Sequence, residues 1–276
     1  MKVALIIVNY NNKILTRECI LSFINVFKEI SVYVVDNSTD ISERFENIDI
    51  NLSSTQFIEV LIPEKNIGYF PAISYCFDII KNLDFEYFLV GNNDVICDSD
   101  WPKELFSKKD IINNYPVICP RIINLDGFDQ NPMIPKSYSI MHVIKLIIYN
   151  SNYFFSKLLL SLLMQFKLYN KSYDVQKDNN KEGEIAIGFG AFYIITADFI
   201  NSGIEFPINT FLMGEEQFLY IKLKKVNKSF YYLPSLVLRH KEHSSVNLIS
   251  KKHLWSLNKK AFWKYIWKMP IRLFNI

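Results

Sequence analysis

No stretch of this 276-residue chain reaches the roughly eighteen uninterrupted apolar residues that a membrane-spanning helix needs. Cysteine is sparse as well. Cys19, Cys76, Cys97 and Cys119 form no CxxC pair, which argues against a zinc site and for free, buried thiols in a reducing compartment. Met1-Lys2 runs straight into an apolar strand pattern, so no secretory leader is expected. A net charge of only +3 gives no bulk electrostatic case for nucleic-acid binding. Acidic residues are missing from two whole regions: none stands between Asp129 and Asp174, and none from Lys251 to Ile276.

The chain is rich in core-forming residues, with 50% hydrophobic and 15% aromatic. That supports one large α/β domain, or one domain plus an appendage. Val3 to Val8 is a continuous apolar run, the pattern of a strand covered on both faces, and it stops at Asn9-Tyr10-Asn11-Asn12. Leu15, Cys19, Phe23 and Phe27 then recur every fourth residue, as a helix requires. Val32 to Val35 predicts a second strand ending at Asp36, and Phe57 to Ile62 a third, leading to Asn66-Ile67-Gly68-Tyr69. A helix over about 71–81 and a strand over 86–90 follow, the latter stopping at Gly91-Asn92-Asn93-Asp94. Strands alternating with helices indicate βαβ units and a mainly parallel sheet. Ligands in such sheets bind beyond the carboxyl ends of the strands. Asn9, Asp36 and Asp94 all stand where an apolar strand gives out, and three neighbouring strand ends would line one crevice.

Further along, a strand pair is expected around Phe230 to Leu238, ending at Arg239-His240. Phe211-Leu212-Met213 reads as an apolar strand, followed by Gly214 and the adjacent Glu215 and Glu216 at a helix start. Carboxylates suit a helix N-terminus, so one of the two can cap while the other faces the crevice. Residues 132–173 predict two apolar helices whose only charges are basic. They fit either a core hairpin or an element lying in a membrane interface. The tail, 248–276, interleaves lysines with Trp255, Phe262, Trp263, Tyr265, Trp267 and Phe274. That composition suits a helix on an anionic membrane surface. Docking onto the protein's own body and RNA binding through aromatic stacking also produce it.

With these residues laid out, the chain resembles the family 2 glycosyltransferases of the GT-A fold, in their rhamnosyltransferase-like branch that builds bacterial surface polysaccharides. Val8-Asn9-Tyr10-Asn11 matches the family's opening turn, and Val34-Val35-Asp36-Asn37-Ser38 the segment whose Asp reads the base. Asn66-Ile67-Gly68-Tyr69 matches the Asn-x-Gly stretch beside the diphosphate, and Asn92-Asn93-Asp94 stands at the metal-binding DxD motif. Gly190-Ala191 precedes the acceptor segment, Gly214-Glu215-Glu216 stands at the Glu-Asp or Glu-Glu pair, and His240 with Ser245 resembles the closing His-x-x-x-x-Ser.

The resemblance implies a GT-A domain over 1–247, with a Rossmann-like, mainly parallel central sheet flanked by helices, a helical insert at 132–173 and a separate C-terminal tail. It implies an inverting transfer of a sugar from a UDP- or dTDP-sugar to a glycan or lipid-linked acceptor, at the inner face of the cell membrane. It assigns Glu216 as general base beside Glu215, Asp94 and His240 as ligands of Mg2+ or Mn2+, and Asn9, Tyr10, Asp36, Asn66, Gly68, Asn92, Asn93 and Asp94 to the nucleotide-sugar. Two positions depart from the pattern. Asn92 replaces the first DxD carboxylate, leaving Asp94 as the only acidic ligand of that loop, although an amide oxygen can still ligate a hard cation. Ile73-Ser74-Tyr75-Cys76 stands where relatives often carry Asn and Gly. Two other functions fit parts of the pattern. A sugar nucleotidyltransferase would want a glycine-rich basic loop after the first strand, which Asn9-Tyr10-Asn11-Asn12 is not. A catalytically silent nucleotide-sugar-binding scaffold at the membrane would explain Asn92.

Overall fold

The computed structural model describes residues 2–46, 50, 52–98, 100–165, 180–242, 250–269 and 274–275. Ser245, Lys167, Lys171 and Arg272 lie outside them.

The first half alternates as its apolar periodicity demands: β1 Val3–Asn9, α1 Lys13–Ile24, β2 Ile30–Asp36, β3 Gln56–Leu61, α2 Tyr69–Ile80 and β4 Tyr87–Asn92. Short elements follow, β5 Val95–Cys97, α3 Trp101–Ser107 and α4 Lys109–Ile112, then β6 Val117–Asn124. The insert holds β7 Tyr138–Ser139, α5 Ile140–Ser151 and α6 Tyr153–Gln165. The last part comprises β8 Gly183–Ile185, β9 Phe192–Ile195, α7 Ala197–Asn201, α8 Glu215–Lys225, β10 Phe230–His240, α9 Lys251–Tyr265 and β11 Phe274–Asn275.

The main sheet runs in the order β3-β2-β1-β4-β9-β6-β10-β5, with β8 also paired to β10. β3, β2, β1 and β4 are mutually parallel, and β9 is antiparallel to both its neighbours. Alternation along β1 explains why its whole length is apolar. Val3, Leu5 and Ile7 pack with Cys19, Ile20 and Phe23 of α1 on one face. Ala4, Ile6 and Val8 pack with Phe70, Ile73 and Phe77 of α2 on the other. All four cysteines are free and buried.

The sequence expectations fail at two places. The segment 230–240 is one strand, not a pair. It pairs with β6 both before and after a register shift between Leu233 and Val237, where Pro234 cannot donate to the ladder. Phe211 to Met213 is a turn and not a strand. Met213 at φ 77° and Gly214 at φ 83° reverse the chain just before α8, which sets the direction of the two glutamates.

The insert and tail pack together. Trp255 Nε1 donates to Tyr149 O at 2.8 Å, Trp263 Nε1 donates to Asn150 O at 3.1 Å, and Lys259 Nζ donates to Ser151 O at 2.8 Å. Val143 and Leu146 of α5, and Phe262 and Tyr265 of α9, join the core beside α2 and α8.

Candidate active site

A cavity of about 410 Å3 opens beyond the carboxyl ends of β1 and β4. Its first wall is built by Val8, Tyr10, Asn37, Asn66, Gly68, Tyr69, Asn92, Asn93 and Asp94, and the facing wall includes Gly190, Phe211, Glu215 and Glu216.

Six of the sequence-derived nucleotide-sugar residues therefore share one cavity: Tyr10, Asn66, Gly68, Asn92, Asn93 and Asp94. Asn9 and Asp36 stand behind it, in register across β1 and β2. Asn9 is fully buried; its amide donates to Asp36 Oδ2 at 3.1 Å, Ser38 Oγ at 3.0 Å and Glu43 O at 3.1 Å, and its Oδ1 accepts from Thr16 Oγ1 at 2.8 Å. The Asp36 carboxylate accepts from Ser38 N at 2.8 Å and Phe45 N at 2.7 Å. Both side chains thus brace the loops after β1 and β2. Asn37 is the residue of that loop that reaches the wall, and its amide donates to Gly68 O at 2.9 Å. Asn93 turns its amide back onto Thr16 Oγ1 at 2.9 Å, and its neighbours Asn92 and Asp94 line the cavity with it.

Gly68 is held by two contacts. Asn66 Oδ1 accepts its N–H at 2.9 Å, and its φ of 93° lies in the region that L side chains rarely adopt. A Cβ there would sit 2.2 Å from Phe211 O, the same carbonyl that accepts Tyr69 N at 3.2 Å. This close approach ties the two walls together. Tyr69 adds a second clasp, its hydroxyl donating to Gly190 O at 2.9 Å. Burial, and then the nearby glutamates, push that hydroxyl well above its ordinary range, so it stays a donor.

Asp94 is 2% exposed and His240 5%. His240 Nε2 lies 3.0 Å from Asp94 Oδ1, and Lys241 N donates to Asp94 O at 2.8 Å. Behind the ring, Gln130 Oε1 stands 2.7 Å from His240 Nδ1, while Gln130 Nε2 donates to Glu242 Oε1 at 2.7 Å. Gln130 Oε1 therefore faces Nδ1 and the Asp94 carboxylate faces Nε2, so the ring is held between two acceptors. An imidazole nitrogen and a carboxylate oxygen 3.0 Å apart, with Nδ1 held by an outer acceptor, could hold a divalent cation between them. Among the described residues no group of three His, Cys, Asp or Glu side chains gathers, so a cation would take its other ligands from Asn92, water or substrate.

The opposite wall carries the glutamates. Glu216 is half-buried, and its Oε1 accepts the N–H of Gly190 at 3.2 Å. Glu215 is 6% exposed and its Oε1 has no hydrogen-bond partner. Burial, then the charge of Glu216, pushes the Glu215 carboxyl up to about 8; burial also raises Glu216.

No protein-family model matches the sequence, and no curated protein is similar to it. Solved structures do match. S. aureus TarS 1-349 in complex with UDP-GlcNAc superposes with a TM-score of 0.55 at 16% identity, covering 89% of this chain and 60% of that one. GalNAc-T7 with UDP, GalNAc and Mn2+ gives 0.58 at 12% identity, covering 88% of this chain and 44% of that one. Both are glycosyltransferases of one fold.

The chain has the GT-A fold.

Within the GT-A frame, the cavity occupies the crevice at the carboxyl ends of the parallel strands. The chain spans well under two thirds of the GalNAc-T7 structure and 60% of TarS 1-349. Three residues of the site were not singled out by sequence: Asn37, Tyr69 and Gln130. The first two sit inside motifs that were recognised. Gln130 carries no sequence signal, because it meets His240 from 110 positions away.

Proposed function

We propose that this chain is an inverting glycosyltransferase. It moves a hexosyl or deoxyhexosyl group from a UDP- or dTDP-sugar to a hydroxyl of a glycan acceptor carried on a lipid, in the synthesis of a bacterial surface polysaccharide. The protein would work as a peripheral enzyme at the inner face of the cell membrane. One observation carries the reading: a cavity at the strand ends has Asp94 in one wall, backed by His240, and the Glu215–Glu216 pair in the other.

The chemistry follows from that opposition. Asn37, Asn66, Asn92 and Tyr10 offer polar contacts to a nucleoside diphosphate, and Asp94 with His240 would hold a divalent cation at its phosphates. When bound, Mg2+ or Mn2+ supplies Lewis-acid neutralisation of the charge that develops on the leaving diphosphate. Glu216 takes the proton of the acceptor hydroxyl as its oxygen bonds to the anomeric carbon, while the bond from that carbon to the diphosphate breaks with its electron pair. Inversion follows from the single displacement. A raised carboxyl pKa suits a base that must accept a proton near neutral pH. Gly190 N–H orients the accepting carboxylate. Glu215, its carboxyl pushed up to about 8 by burial and by the charge of Glu216, lines the cavity beside the base. GalNAc-T7 with UDP and Mn2+, and TarS with UDP-GlcNAc, support a nucleotide-sugar donor and a divalent cation by analogy of fold.

Calorimetric titration with UDP and dTDP, with and without Mn2+, tests this on the wild type and Asp94→Ala. The expected result is cation-dependent binding that the variant loses. Absence of binding by either nucleotide would overturn the assignment.

A further inference from the structure

The notable surface outside the cavity is the outward side of the insert. α5 buries Val143 and Leu146 against the core, yet Ile140, Met141, Ile144, Ile147 and Ile148 are all exposed. Their spacing of three and four residues puts them on one stripe. On α6, Phe155, Leu158 and Leu162 repeat the pattern, with Phe154 beside them at 69% exposure. A helix normally keeps its apolar stripe inward and its polar face out; here each of two packed helices carries apolar residues outward.

The charge around these stripes has one sign. No acid occurs from Gln130 to Tyr173 or from Lys251 to Ile276. Exposed Lys136 and Lys157 flank the insert, and α9 adds exposed Lys251, Lys252, Lys260 and Lys264. Among the described residues none of these lysines is paired with a carboxylate. The tail's rings, by contrast, are spent inward: Trp255 and Trp263 donate to insert carbonyls, while Phe262 and Tyr265 are buried. Trp267, 80% exposed, is an outward ring of the tail.

We infer that the α5–α6 hairpin is the element that enters lipid, and that α9 is its strut and basic rim, together forming a docking surface for an anionic bilayer. Thirteen residues of α6 rise about 20 Å at 1.5 Å each, short of the ~30 Å hydrocarbon core, so the hairpin lies in the interface without crossing it. Outward apolar stripes supply insertion, and a one-signed rim supplies attraction to anionic headgroups. This deepens the membrane placement proposed above, and it stands apart from the sugar-transfer chemistry.

Sedimentation of the full chain with phosphatidylcholine vesicles, with and without 30% phosphatidylglycerol as roughly a bacterial anionic share, provides the test. Wild type is expected to pellet with the anionic vesicles and to be released as salt rises from about 0.1 to 0.5 M. The exposed-site variant L158D/F155D should weaken partitioning at least about tenfold, and K251Q/K252Q/K260Q should do so on anionic vesicles only. UDP binding on the same samples must stay at the wild-type level, so a failed surface is distinguished from a failed active site. Wild type that stays in the supernatant, or L158D/F155D that pellets as wild type does, would overturn the inference. So would a dimer in solution that L158D/F155D splits without altering lipid binding, since the stripes would then be covered by a second copy.

Discussion

Gly190 and Glu216 share one oxygen: the glycine N–H donates to Oε1 at 3.2 Å, and a Cβ on residue 190 would lie 2.8 Å from that atom. The backbone approaches this carboxylate more closely than any side chain at 190 would allow. It therefore aims the carboxylate proposed as the base as well as bonding to it. Glu216→Gln keeps the shape and the acceptor oxygen but cannot take a proton. Transfer should fall by about 10^2 to 10^4 fold, while UDP affinity stays near the wild-type value. Radiolabelled sugar transfer alongside calorimetry reads both, and a variant with full turnover would remove Glu216 as base.

Gln130 holds Nδ1 of His240 and is itself held by Glu242. Gln130→Leu should therefore leave the fold intact and weaken Mn2+-dependent donor binding by about 10 to 100 fold, the usual loss when a ligand's outer partner is removed. Binding measured without cation should not change. Equal weakening with and without Mn2+ would mean that Gln130 acts on shape alone.

The glutamate pair should also show itself in pH dependence. Glu215 has its folded pKa raised to about 8 from an ordinary 4.5, so the folded protein binds this proton more tightly than the unfolded chain does. The stabilisation is complete below the unfolded value and is lost as pH rises through about 8. Wild type should thus lose stability relative to Glu215→Gln between about pH 6 and 8.5, by about 2 kcal/mol. Parallel thermal-denaturation curves for the two proteins across that range would contradict the assignment.

Gly68→Ala should be costly. It places a Cβ on Phe211 O at a φ of 93°, and the positive φ alone is worth about 1–3 kcal/mol. The urea midpoint should drop, and nucleotide affinity should drop with it because Phe211 and Tyr69 belong to the cavity. An unchanged midpoint would mean that the turn relaxes freely.

Much of the cavity's first wall was legible because β1, β2 and β4 are buried on both faces, which writes them as largely apolar runs with polar residues at their ends. Position was readable there, but direction was not. Asn9 and Asp36 sit at the strand ends as expected, yet their side chains turn to Ser38, Glu43 and Phe45. Local hydrogen-bond geometry decides such orientations, and composition does not encode it. In β10, Pro234-Ser235 reads as a turn between two strands, whereas a register shift absorbs it within one. The Phe211–Met213 segment misleads in the opposite sense, since its apolar residues cover the cavity from a turn. The insert's outward stripes are apolar in sequence; only the packing of Val143 and Leu146 reveals which side faces out.

The cavity lies along a seam. Every described residue of its first wall comes before Val95, and every one of the facing wall comes after Gly188. No peptide bond joins the walls at the site. They are fastened by Tyr69 hydroxyl to Gly190, Tyr69 amide to Phe211, and Asn92 amide to Ala191. Under the proposed function, nucleotide recognition and acceptor choice would therefore reside in separable stretches of chain. Either could drift by itself, provided that those fastenings and the β4–β9 pairing behind them are kept.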